Sequence, residues 1–163
     1  MTKITPFLWF NNNAEEATKF YVSIFKNAKI LDTLRYGEEG PGPKGGVMYT
    51  TFLLDGQEFM ALNGGPEFTF SSATSFFIHC DTQKEVDYYW DKLSAGGEIQ
   101  QCGWLTDKFG VTWQVVPSGL NDLLHGADPV RSKRVFEAML KMKKLDIDEL
   151  RRVYEKGEME AVR

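Results

Sequence analysis

Histidine is nearly absent from this chain: His79 and His125 are the two in 163 residues. A metal centre built chiefly from imidazole is thereby excluded, because such a site needs three or four ligands. Cysteine is equally sparse. Cys80 and Cys102 fall in different predicted strands, so no disulfide framework is expected, and a reducing compartment would keep both as thiols. A cationic surplus is lacking too. Lys and Arg number 19 against 23 Asp and Glu, and a net charge of −4 offers no footprint for a nucleic acid or an anionic membrane surface. The basic residues between 131 and 152 alternate with acidic and apolar ones, which is the pattern of a solvated helix face. The first residues hold no long apolar stretch before a small-residue cleavage site, so the expected location is the cytoplasm.

What is present suits one globular domain, with 42% hydrophobic and 26% charged residues. Residues 3–10 read as a strand of bulky apolar residues that Asn11, Asn12 and Asn13 interrupt. Ala14, Ala17, Phe20, Tyr21, Ile24 and Phe25 then recur at helical spacing, with Asn13 and Glu16 as a capping box, and the helix should stop near residues 26–27. Three β-like runs follow, over 29–36, 47–54 and 58–63, the last two joined by the hairpin pair Asp55-Gly56. The order then restarts. Residues 74–80 form an apolar run, Thr82 and Glu85 a second capping box, and Val86, Tyr89, Trp90 and Leu93 a second helical stripe closed by Gly96-Gly97. The two helices share a local string, Glu16-Ala17-x-x-Phe20-Tyr21 against Glu85-Val86-x-x-Tyr89-Trp90. Strands are predicted over 98–105 and 111–117, with no third strand visible between them.

Beyond Pro117 the pattern turns helical. Asp128-Pro129 supplies a cap and a first-turn proline, Val135, Ala138, Met139 and Met142 trace one stripe, and Asp146 with Glu149 starts a last helix that should bury Leu150, Val153 and Tyr154. A methionine stripe at this spacing reads as core or as a dimer contact. The fold class is therefore α+β, with two βαβββ modules in residues 1–118 (halves about 1–66 and 73–118) and a C-terminal helical extension over 119–163 packed on them.

Two stretches carry a family resemblance: Ile4-Thr5-Pro6-Phe7-Leu8-Trp9-Phe10 with Ala14-Glu15-Glu16-Ala17-x-x-Phe20-Tyr21, and Gln101-Cys102-Gly103-Trp104-Leu105-x-Asp107-Lys108-Phe109-Gly110-Val111-x-Trp113-Gln114. They resemble the PhnB-like, or 3-demethylubiquinone 3-methyltransferase-like, group of the vicinal-oxygen-chelate (glyoxalase/bleomycin-resistance/dioxygenase) superfamily. Asn63-Gly64-Gly65-Pro66 and the tail string Met139-Leu140-Lys141-Met142-Lys143-Lys144-Leu145-Asp146-Ile147 resemble that group as well. The resemblance implies a curved mixed sheet around a small-molecule cavity and a homodimer. It also implies that metal enzymes of the superfamily hold a divalent ion with His or Glu from four strands. Carried over, those positions fall near Thr5, at Ser75, at Gln114 and, on the fourth strand, between Phe59 and Asn63. Thr5, Ser75 and Gln114 are not strong transition-metal ligands, so neither a catalytic metal nor a cofactor is expected. Gly40-Pro41-Gly42-Pro43-Lys44-Gly45 matches a G-x-G-x-x-G string, but its prolines and the β-like run after it suit a loop between strands rather than a nucleotide cradle.

Strand alternation sorts the residues into two faces. Thr5, Phe7, Trp9, Ser75, Phe77, His79, Thr112, Gln114 and Val116 should face the cavity, and Leu8, Phe10, Phe76, Ile78, Trp113 and Val115 should pack under helices. The expected ligand-binding set is Trp9, Asn63, Ser75, Phe77, His79, Trp104 and Gln114. His79 is a candidate general base, against the plainer alternative of a strand-end histidine bonded to backbone or water. Cys102 is a candidate nucleophile, against the alternative of a structural thiol. Three readings stay open: a small-molecule-binding protein without turnover, a metal-independent glyoxalase-like isomerase, lyase or transferase, and an interaction module using the helical tail.

Overall fold

The computed structural model of the protein describes residues 3–156. It forms two compact units that divide between Phe70 and Ser71. The first runs β1 (Phe7–Phe10), α1 (Ala14–Ile24), β2 (Lys29–Arg35), β3 (Val47–Leu54) and β4 (Gln57–Asn63). Its sheet has the order β1-β4-β3-β2, with β1 parallel to β4 and the other pairs antiparallel. Helix α1 lies on β3 and β4 and buries Ala14, Ala17, Tyr21 and Ile24 against Phe10, Phe52, Phe59 and Ala61. Asp55 and Gly56 have φ of 47° and 82°, the left-handed pair that lets a two-residue turn follow the twist of the strands it joins. At the exposed end of α1, Arg35 bonds both oxygens of Glu15, and with Lys19 it holds that carboxyl down to about 2.

The second unit repeats the topology with β5 (Ser75–Cys80), α2 (Gln83–Ser94), β6 (Glu98–Ile99), β7 (Trp104–Thr106) and β8 (Thr112–Pro117) in the order β5-β8-β7-β6. Helix α2 buries Val86, Tyr89, Trp90 and Leu93, the four residues of its apolar stripe. Three further helices belong to this unit: α3 (Leu120–Leu124), α4 (Pro129–Met139) and α5 (Ile147–Lys156). They close a second core of Leu120, Val135, Ala138, Leu145, Leu150 and Val153 around Val116 of β8. No helix among the described residues is long and apolar enough to cross a membrane.

Four local expectations need correction. The run 98–105 is two strands, because Cys102 and Gly103 both adopt positive φ, 57° and 82°, and fold the chain back between β6 and β7. That break supplies the missing third strand. Asn13 makes no side-chain cap; the first free amide of α1, Ala14 N, donates instead to Asn63 Oδ1 at 2.8 Å. Thr82 does cap α2, accepting from Glu85 N at 3.2 Å, but Glu85 reaches back to Asp81 N rather than to Thr82. Met142 lies past the end of α4, although it still packs on the tail core.

Candidate functional site

The burial of β5 and β8 shows two faces. Ile78 and Val115 are buried on the side of α2, and Trp113 with them, while Phe77 and His79 are exposed on the other. Cross-strand register sets three of the open-face residues abreast: Phe77 on β5 pairs with Gln114 on β8, and Gln114 with Trp104 on β7. His79 sits one step along, opposite Val116. Phe77, His79, Cys102, Trp104, Gln114 and Val116 form the sheet side of a pocket of about 510 Å³. Its walls are mostly apolar and aromatic with a few polar atoms, the usual make-up of a small-molecule site.

The polar atoms are not equivalent. Gln114 Nε2 donates to Ser75 Oγ at 2.9 Å, which fixes the amide, and its Oε1 has no partner among the described residues. Ser75 therefore orients Gln114 and does not itself line the pocket. The His79 ring lies 4.7 Å from that of Phe77, and its nitrogens make no hydrogen bond among the described residues. Cys102 Sγ donates to Met139 O at 3.5 Å, and burial pushes its thiol up. Cys80 is pushed up to about 12, chiefly by burial. Neither thiol is set up as a thiolate nucleophile.

The remaining candidates lie in the first unit. Trp9 is half-buried, its Nε1 donating to Gly65 O at 3.0 Å and its ring meeting Phe68 edge-on at 4.9 Å. A side chain at Gly64 would run into the Trp9 ring. Asn63 pairs in register with Phe10, on the side of α1, and its amide is used twice by the fold, accepting from Ala14 N and donating to Val47 O at 3.1 Å. The open face of β4 carries Met60 and Leu62, which pair with Phe7 and Trp9, and by alternation Glu58. That settles the parity of the fourth strand. Thr5 Oγ1 donates to Glu58 Oε1 at 3.4 Å.

These placements bear on whether the site suits a metal. In the first unit the carried-over positions hold the Thr5 hydroxyl and, on the open face of β4 between Phe59 and Asn63, the side chains of Met60 and Leu62; in the second they hold a hydroxyl and an amide bonded to each other. Neither set suits a transition metal. Among the described residues no group of three or more His, Cys, Asp or Glu comes together. The G-x-G-x-x-G match is the β2–β3 loop, which folds over the Tyr36 ring with Gly45 N donating to Tyr36 O at 2.9 Å, and it leads into a strand. Gly40 and Gly42 are pressed against that ring, so they serve the loop.

The model of the family described as 3-demethylubiquinone-9 3-methyltransferase matches residues 2–116 of this chain. The chain belongs to this family. Its two βαβββ units are those that the PhnB-like resemblance implied. The PhnB protein of Bacillus cereus, whose description carries the same methyltransferase name, is 41% identical, with 71% of this chain and 99% of that one covered and a TM-score of 0.67. Protein PA1353 of Pseudomonas aeruginosa is 25% identical over 72% of this chain and 98% of its own, with a TM-score of 0.61. No protein of curated function matches this PhnB-like chain. The family model stops before α3 begins.

Sequence reasoning missed the tail's share of the pocket, which includes Leu120, Asn121, Leu124, Met139 and Leu145. The methionine stripe marked the segment as packing material, but nothing local said that it packs beside the open face of β5, β8 and β7.

Proposed function

We propose that this PhnB-like protein binds a small organic molecule in the pocket of its second unit and does so without a catalytic metal. The observation that carries this is the convergence of Phe77, Trp104 and the fixed amide of Gln114, from three adjacent strands, on one cavity of about 510 Å³. A thermal-shift screen of a metabolite library, followed by titration, tests it. A saturable ligand whose affinity falls on Gln114→Ala by roughly 1–3 kcal/mol, the cost of a lost buried hydrogen bond, supports the proposal. A ligand indifferent to both Gln114→Ala and Phe77→Ala argues against it. Elemental analysis of tag-free protein should give well below one equivalent of zinc, nickel, iron or manganese.

A second reading rests on His79. Its ring is in the pocket with both nitrogens open, so a metal-independent isomerase or lyase exchanging a proton with bound ligand fits the same cavity. His79→Gln would then abolish turnover and leave binding in place. Cytoplasmic location goes with either reading, because both thiols are free.

We also infer a homodimer. In the first unit β2 is an outer strand with Ile30, Leu31 and Leu34 each at least 40% exposed, an edge that a second copy would cover. Light scattering giving a concentration-independent mass near 18.6 kDa would reject it.

A further inference from the structure

We infer that the C-terminal segment is the specificity-determining wall of this pocket, and that the pocket takes an uncharged aromatic molecule carrying a hydrogen-bond donor. This rests on the binding reading above. The wall is apolar, with Leu120, Leu124, Met139 and Leu145 facing the aromatic sheet side, and among the described residues no Asp, Glu, Lys or Arg lines the cavity. A charged ligand would lose hydration there and meet no Asp, Glu, Lys or Arg, the His79 imidazole being the one basic group in the lining. Gln114 spends one of its two amide N–H groups on Ser75, which fixes the amide and leaves Oε1 without a partner among the described residues, an acceptor that a ligand N–H or O–H would satisfy.

The segment is held in place by backbone bonds rather than by packing alone. Cys102 N and Gly103 N donate to Met142 O at 2.8 Å and to Lys143 O at 2.7 Å. Gln83, at the start of α2, clasps the next stretch with both ends of its amide, donating to Leu145 O at 3.0 Å and accepting from Ile147 N at 2.9 Å. Lys144 adds an ion pair to Asp87 at 2.8 Å. Leu145 is thereby seated, fully buried, over the turn that presents Cys102 and Trp104. The wall and the reading face are one fixed assembly, yet all of the wall lies outside residues 2–116, the part that matches the family. Members that share the sheet need not share the ligand.

The test uses two dyes on the full-length protein. N-phenyl-1-naphthylamine is uncharged, aromatic and carries one N–H; 1-anilinonaphthalene-8-sulfonate has the same rings with a sulfonate added. Fluorescence titration should show saturable binding of the neutral dye and at least tenfold weaker binding of the sulfonate. Leu124→Trp and Met139→Trp, which fill the cavity from the wall, should each weaken the neutral dye at least tenfold, and Phe77→Ala should weaken it as well. Should either tryptophan variant melt early, Asn121→Asp at the exposed rim keeps the test and should weaken the neutral dye at least threefold. Loss on Phe77→Ala with no change in any wall variant overturns the wall while leaving the pocket reading intact. Equal affinity for the sulfonate overturns the ligand class. So does absence of dye binding, in which case a library ligand weakened by Phe77→Ala preserves the pocket reading and the lack of any such ligand removes it too.

Discussion

Replacing Trp113 with alanine is expected to lower the unfolding free energy by about 3–5 kcal/mol, the cost of a buried large-to-small change, and to leave ligand affinity at Gln114 unchanged. Trp113 is 3% exposed and adjoins Gln114 in sequence, but it points the opposite way, toward the side of α2. The cost has a second source beyond the cavity. Trp113 Nε1 donates at 2.8 Å to Asp107 Oδ2, and Asp107 is itself buried, with its other oxygen accepting from Phe109 N at 2.8 Å and Val111 N at 3.1 Å. Removing the indole takes a donor from a buried carboxylate, which stays costly until water reaches it. Trp113→Phe should cost less than Trp113→Ala, since it keeps a six-membered ring in the core while losing the N–H together with the rest of the pyrrole ring. Urea melts of both variants with a ligand titration decide the point. A stable Trp113→Ala that no longer binds ligand would reverse the face assignment and the site with it.

Gly103→Ala should cost about 2–6 kcal/mol, from roughly 1–3 for a left-handed backbone and roughly 1–3 for overpacking. At φ of 82° an alanine is strained before any contact is considered, and its Cβ would stand 2.7 Å from Val115 O and 3.0 Å from Leu145 Cδ1. The strand cannot yield easily, so the tail gives way. Gly96→Ala is the control: its φ is 75°, but its Cβ would meet only the Lys108 side chain at 3.5 Å, so it carries the backbone strain alone. Limited proteolysis should then cut between α4 and α5 in Gly103→Ala and not in Gly96→Ala. Equal stability and equal cleavage of the two would show that Leu145 is not seated on the turn.

Much of this architecture was legible because the signals were local. Asp55-Gly56 forced a hairpin by its own conformational preference, Asp128-Pro129 opened α4 with Asp128 capping Val130 and Arg131, and Asp146 accepts from Glu149 N as its position suggested. Alternation alone also separates Trp113 from Gln114 and Ile78 from His79. What was hidden depended on partners distant in sequence. Asn63 joins the expected ligand set through the family-like string Asn63-Gly64-Gly65-Pro66, and only the pairing of β1 with β4 turns it toward Ala14. The 98–105 run read as one strand because the bonds that hold its turn come from Met142 and Lys143. Half of the pocket was hidden for the same reason, as hydrophobic spacing tells which face of a helix is buried and not what it is buried against.

The bonds from Cys102 and Gly103 to Met142 and Lys143 also impose an order on folding during synthesis. The first unit ends at Phe70, and everything its sheet needs has been translated by then. The second sheet is in a different position. Its central turn has unpaired amides until the ribosome has passed Lys143, and Val116 and the open face of β8 have no cover until α4 and α5 exist. Domains tend to fold as units in the order in which they emerge, so the nascent chain passes through a stage with a finished N-terminal half and an unfinished C-terminal one. A stop codon anywhere between Pro117 and Lys143 would release the chain at that stage, with every strand present and the turn that orders them unsupported.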